Sequence, residues 1–252
     1  MAARKPLIAG NWKMHGRRAD LAEAAGLAAA AGAALERVEA LICPPALYLS
    51  EAVAAIAGMP VAIGAQDCSP SAADAARTGE ISAAMIAETG ARYVIVGHSE
   101  RRSLLGETDD QVRQKAEAAQ AAGLAPIVCV GETEAQRGAG QATAVVAAQV
   151  RASAPAAAER LVIAYEPVWA IGGSRTPTLA EIAEIHGVVR QELEAKFGAA
   201  AAGVRVLYGG SVNPKNAGEI FAVEGVDGAL VGRASLKAAD FSAIITAHPA
   251  AL

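Results

Sequence analysis

Leu161-Val162-Ile163-Ala164-Tyr165-Glu166-Pro167-Val168-Trp169-Ala170-Ile171-Gly172 is the stretch on which the fold turns. Its first five residues are apolar without alternation, the pattern of a parallel strand covered on both faces. The run stops at a carboxylate. Pro167 stiffens the exit, Trp169 offers an anchor, and the glycines that follow allow the chain beyond to move. A carboxylate held from below and reachable from above suits a general base under a closing lid.

Similar runs begin near Leu7, Ala40, Val61, Tyr93, Ala125, Val204 and Gly228. Tyr93-Val94-Ile95-Val96-Gly97 and Ile127-Val128-Cys129-Val130-Gly131 are the clearest. Between them, residues 18–34, 47–57, 109–122, 141–152 and 179–197 read as helices. Asp109-Asp110 places negative charge in a first turn, and Gly123 ends that helix ahead of Pro126. Strands alternating with helices over 252 residues predict an α/β chain closed as a (β/α)8 TIM barrel. No linker or composition break divides it, so residues 1–252 are expected to form a single domain. A doubly wound open sheet fits less well, because no G-x-G-x-x-G follows the first run and no P-loop occurs.

Composition narrows the function. The chain is 53% hydrophobic but only 4% aromatic, which suits many close helix–strand contacts. A formal net charge of -4 offers no general attraction to nucleic acid or anionic membrane, so any anion site must be local. The N-terminus is too short in apolar residues for a signal peptide. The longest charge-free apolar run, residues 24–35, falls short of the roughly 20 residues of a membrane span. Cys43, Cys68 and Cys129 form no C-x-x-C pair and read as reduced thiols. A cytoplasmic protein without nucleic-acid or membrane partners is expected.

In parallel α/β folds, chemistry gathers where strands end. Those ends carry Asn11-Trp12-Lys13, Gly97-His98-Ser99-Glu100-Arg101-Arg102, Cys129-Val130-Gly131-Glu132, Glu166, Tyr208-Gly209-Gly210-Ser211 and Gly232-Arg233. Singly, each has a plain reading: a solvated lysine, a turn asparagine, a structural histidine, two tight turns. Together they make a set. Lys13 would point across the mouth. Ser99-Glu100 can cap a short helix beside His98, which disfavours the imidazolium. The turns at Gly209–Ser211 and Gly232-Arg233, on consecutive strands, form a phosphate cradle of backbone N–H groups. Arg101 and Arg102 read as structural pairs, with Glu107 a candidate partner, and Cys129 as a small apolar residue beside the mouth. No H-x-H, H-E-x-x-H or G-x-S-x-G occurs, so neither a metal site nor a serine nucleophile is expected. One carboxylate, one histidine, one lysine and a phosphate cradle suit proton transfer beside a carbonyl on a small phosphorylated sugar.

These motifs, in this order from Gly10-Asn11-Trp12-Lys13-Met14 to Leu230-Val231-Gly232-Arg233-Ala234-Ser235-Leu236-Lys237, resemble the triosephosphate isomerase family. The resemblance implies interconversion of dihydroxyacetone phosphate and D-glyceraldehyde 3-phosphate, in glycolysis and gluconeogenesis, with no metal or cofactor. It makes Glu166 the proton carrier, His98 the partner of the oxygens, and Lys13 with Asn11 the counterweight to negative charge; base, neutral histidine and closing loop are this family's well-known roles. Gly172, Ser211, Gly232 and Arg233 would hold the phosphate, and Glu100 would support Lys13 and His98. The resemblance further implies a homodimer, with Gln66 to Glu80 as the inserted loop and Thr78 beside the partner's site, Gly79 and Glu80 following it.

Two departures stand out. Gly173-Ser174-Arg175-Thr176-Pro177 replaces the usual Thr-Gly-Lys-Thr-Ala, and Pro177 removes a backbone N–H that would bond Tyr208 when the lid closes. Arg233 stands where a second glycine is common, which a backbone donor tolerates if its φ is negative. The alternatives are another phosphosugar barrel enzyme and a non-catalytic barrel scaffold; the joint presence of Lys13, His98 and Glu166 weighs against both.

Overall fold

The computed structural model describes residues 4–171 and 175–251. Its strands are β1 (Leu7–Asn11), β2 (Glu39–Cys43), β3 (Val61–Ala65), β4 (Tyr93–Val96), β5 (Ala125–Val130), β6 (Val162–Tyr165), β7 (Arg205–Tyr208) and β8 (Gly228–Val231). They close into a barrel in chain order, with β8 pairing back onto β1 in parallel. This is the (β/α)8 arrangement the alternating runs predict, and each strand starts within a residue of its expected place.

Alternation along the strands splits the core in two. Leu7, Ala9, Leu41, Cys43, Ala62, Ile95, Ala125, Ile127, Cys129, Ala164 and Leu207 pack with one another inside the barrel. Ile8, Ile42, Ile63, Val94, Val128, Ile163 and Val206 pack outward against the helices. Alanine and cysteine on the inner face let eight strands converge, which is where the small-residue composition is used. At the N-terminal end Arg205 closes the floor, donating to Glu39 at 2.7 Å and to Tyr93 Oη at 2.9 Å. The polar groups of interest stand at the other end.

The expected helix over 18–34 is broken. A 3-10 turn, Arg18–Asp20, leads into Leu21–Ala31, and Gly32 at φ 53° separates this from Ala34–Arg37. The short helices Ala83–Glu88, Glu134–Gly138, Ala217–Phe221 and Ala238–Thr246 were not legible in the sequence pattern. Three helices start on the same local device. Thr108, Thr133 and Thr178 each accept from the backbone N–H three residues on, while Gln111, Gln136 and Glu181 reach back to the capping residue. The last of these fixes the chain directly after Pro177. No helix among the described residues is long and apolar enough to cross a membrane.

The base of the Gln66–Glu80 loop rests on four alternating charges. Arg101 contacts Asp67 at 2.8 Å and Glu107 at 2.6 Å, as its expected pairing requires. Lys115 contacts Asp67 at 2.7 Å and also Glu107. Arg102 instead meets Asp109 at 2.5 Å and donates to Gly97 O, Cys129 O and Ser153 Oγ.

His186, on the helix Leu179–Phe197, is fully buried and bonded through Nδ1 to Gly225 O at 3.1 Å. Burial pushes its pKa down from 6.5 to about 4, so the folded state holds it neutral. The unfolded chain binds more protons between those values, so stability is full above pH 6.5 and falls as pH drops toward 4. The loss approaches roughly 3 kcal/mol. Urea titrations at pH 7 and pH 5 should show that decline and a flatter profile in His186→Gln; equal slopes would remove His186 as its source.

Candidate active site

The carboxylate at the end of β6 is held by the strand before it and by close packing on either side. Glu166 N donates to Val130 O at 2.8 Å, continuing the β5–β6 ladder one residue past the strand. A Cβ on Gly131 would lie 1.7 Å from Glu166 O, and one on Gly209 2.8 Å from Glu166 Cγ. Both glycines are required by this approach rather than by their own conformation. Glu166 is only 2% exposed.

His98 lies directly against it. Its Nε2 is 2.9 Å from Glu166 Oε1, and Ser99 N donates to Glu166 Oε2 at 2.9 Å. The helix Ser99–Leu105 begins here, and its cap is His98 itself rather than Ser99 or Glu100. Glu100 N donates to His98 Nδ1 at 3.2 Å. That bond leaves Nδ1 bare and puts the ring proton on Nε2, aimed at Glu166. Burial disfavours a charged ring, but the touching Glu166 carboxylate outweighs it and lifts His98 above its ordinary value. Burial likewise pushes Glu166 up, while His98 and Ser99 N–H pull it further down, below the usual carboxylate range. The neutrality expected from the helix start therefore meets an opposing pull, which ends when the carboxylate turns to another partner.

Lys13 faces them across the mouth. It is one of two non-glycine residues with positive φ among those described, at 53°. Such a conformation is strained and persists where surrounding contacts impose it. Asn11 Oδ1 accepts from Lys13 N at 3.0 Å, and Gln66 Nε2 donates to Lys13 O at 2.9 Å. Gln66, expected as part of an intersubunit loop, thus supports Lys13 within its own chain. Lys13 Nζ reaches Glu100 Oε1 at 2.6 Å.

Asn11, Lys13, His98, Glu100 and Glu166 share one cavity of about 740 Å³ with Gly210, Ser211, Gly232 and Arg233. The two expected phosphate turns therefore open into the same space as the carboxylate. Arg233 starts a 3-10 turn, and its φ is not positive, so its backbone donor is available as the departure from glycine requires. Gly172, expected beside them, lies outside the described residues, as does the Gly173-Ser174 tip. Cys129 is fully buried behind Glu166, and burial together with that carboxylate holds its thiol well above its ordinary pKa. It packs as a small apolar group.

Sequence reasoning placed Glu132 at a strand end but gave it no role. It is fully buried, and its Oε1 accepts from Trp169 Nε1 at 2.8 Å, Arg137 Nε at 2.8 Å and Tyr165 Oη at 3.2 Å. Arg175 stacks 4.5 Å from the Trp169 ring and pairs with Glu181 at 3.2 Å, tying together the described chain on either side of residues 172–174. An acidic residue after a strand gives no sign of such partners until the strands are closed.

Tyr208 Oη is buried and finds no partner among the described residues, and Pro177, also buried, has no N–H to offer. An unpaired buried hydroxyl contributes nothing by its presence. Tyr208→Phe is therefore expected to leave thermal stability unchanged or slightly raised and to lower turnover by less than about tenfold. A larger loss in steady-state turnover would mean the hydroxyl gains a partner during the cycle.

The triosephosphate isomerase family model matches residues 6–248. A triosephosphate isomerase of Afipia carboxidovorans is 58% identical over 247 residues, covering 97% of this chain and 98% of that one. One from Xanthobacter autotrophicus is 54% identical over 252 residues, with 99% of each covered. The crystal structure of triosephosphate isomerase from Bartonella henselae superposes with a TM-score of 0.89 at 43% identity, over 96% of this chain and 98% of that one. With a barrel closed in the same order and near-complete coverage at such identity, the chain belongs to the triosephosphate isomerase family.

Proposed function

We propose that this chain interconverts dihydroxyacetone phosphate and D-glyceraldehyde 3-phosphate by moving a proton between adjacent carbons. The observation that carries the reading is the shared cavity: a buried carboxylate, a histidine N–H, an ammonium and two phosphate turns open into one space. Glu166 leaves His98 and Ser99, takes the proton from the carbon beside the carbonyl, and returns it to the neighbouring carbon. His98 Nε2–H, released from Glu166, donates to the substrate oxygens and exchanges its proton between them. Lys13 offsets the phosphate and the enediolate, held in place by Asn11 and Gln66. The N–H groups of Ser211, Gly232 and Arg233 receive the phosphate. A coupled assay on both triose phosphates tests this; no turnover by the pure wild-type protein would sink it.

The working unit in this reading is a homodimer in the cytoplasm. Met14, Leu47, Leu104 and Leu105 are strongly exposed, with Met14 at 95%, and a groove beside Lys13 joins Met14, Ile81 and Leu105 to Arg77, Gly79 and Glu80. A second copy seated there would cover those side chains, with Thr78 entering its neighbour's mouth. Thr78→Arg should shift sedimentation toward a monomer; an unchanged dimer would argue against this seat.

A further inference from the structure

The β5 strand stops at Val130, one residue before the surface on which Glu166 rests. The chain continues as if the ladder went on: Glu166 N donates to Val130 O at 2.8 Å, and Val168 N to Glu132 O at 3.1 Å. Those bonds use the edge of β5 that faces β6. The peptide groups of Gly131 point the other way, where β4 has already ended at Val96. Both are buried, and no strand is left to satisfy them.

The side chain of Gln149, on the helix Ala142–Ser153, fills that role. Gly131 N donates to Gln149 Oε1 at 2.7 Å, and Gln149 Nε2 donates to Gly131 O at 3.1 Å. A primary amide offers one acceptor and a donor in the same plane, so it closes on a residue's two polar groups as a neighbouring strand would. Among the described residues, no other group hydrogen-bonds Gly131 from that side. A cavity of about 200 Å³ lies alongside, lined in part by Gly97, Cys129, Gly131, Gln149 and Glu166. The backbone under Glu166 is thus clamped next to a void into which it could otherwise relax.

We propose that Gln149 is a positioning residue for the base. By clasping Gly131 it fixes the backbone on which the Glu166 carbonyl rests, and through Glu132 it steadies the root of the lid segment. It touches no substrate. The proposal rests on the isomerase reading above, and it adds a residue on a remote helix that carries no charge and lies in no strand-end motif.

Two near-isosteric variants test it. Gln149→Met removes both bonds; kcat should fall about tenfold while KM for triose phosphate stays within about twofold, because the loss is in the placement of the base and not in the anion site. Gln149→Glu is the sharper probe. Ionised, it keeps the acceptor for Gly131 N and loses the donor to Gly131 O. Protonated, its carboxylic acid offers both again. The ratio of variant to wild-type kcat should therefore rise as pH falls, from about one tenth at pH 8 to within about twofold of unity at the acid end. A pH-independent ratio, an unchanged kcat in Gln149→Met, or failure of both variants to fold at every pH would overturn the proposal. An inactive wild-type protein would instead overturn the reading on which it rests.

Discussion

Glu166→Gln is expected to lower kcat by about three orders of magnitude, in the middle of the range a positioned proton carrier supplies. The amide keeps the size of the side chain and still accepts from Ser99 N–H, so the barrel and the backbone contacts to Gly131 and Gly209 should survive. What is lost is the carboxylate that the end of β6 presents to the cavity. A second readout separates this cause from misfolding. The Glu166 charge lifts His98 above its ordinary value against burial. Removing it should move the His98 titration downward in an NMR experiment. An inactive variant whose His98 titrates as in wild type would mean that the two side chains are not in contact in solution. A variant retaining more than about a tenth of wild-type kcat would remove Glu166 as the base.

Lys13→Met should be nearly as severe, with kcat/KM reduced about a thousandfold. Two effects add. The variant loses a cation facing a dianionic substrate; for unit charges about 4 Å apart in a partly screened site, about 4 kcal/mol is at stake. It also leaves the Glu100 carboxylate, now paired with Lys13 at 2.6 Å, unopposed at the mouth and repelling the same anion. Adding Glu100→Gln to Lys13→Met should therefore recover part of the loss, about tenfold and mainly in KM. If the double variant is no better than the single one, Glu100 acts only through Lys13. If Lys13→Met alone costs less than about tenfold, the ammonium is not where substrate charge develops.

Much of this site was legible in the chain because its residues stand at strand ends, and strand ends can be found from runs of apolar residues. Asn11, Lys13, His98, Glu166, Ser211, Gly232 and Arg233 all follow such runs, and the cavity gathers them. The broken helix at Gly32 and the five-residue helices such as Glu134–Gly138 escaped, since so few turns show no periodicity. Glu132 and Gln149 were unreadable for another reason. Each gains its role from groups that meet it only after the barrel closes: three donors around one carboxylate, and one orphaned peptide beside an amide. The cap on the helix Ser99–Leu105 went to His98 instead of Ser99 because the histidine already stood at the turn with a bare nitrogen.

The three thiols make the protein a reporter of its own opening. Cys43 and Cys129 belong to the inner face of the barrel, whereas Cys68 sits by the four-charge base of the Gln66–Glu80 loop, its Sγ 3.6 Å from Lys115 O. Burial pushes Cys68 up to about 12 and the other two at least as firmly upward, so none reacts while enclosed. A thiol reagent can then label Cys68 after a local release of that loop, but reaches Cys43 only when strands part, while Cys129 lines the cavity beside Glu166. The order and rates of labelling at Cys68 and Cys43 would separate loosening at the edge from rupture of the core, with no engineered probe.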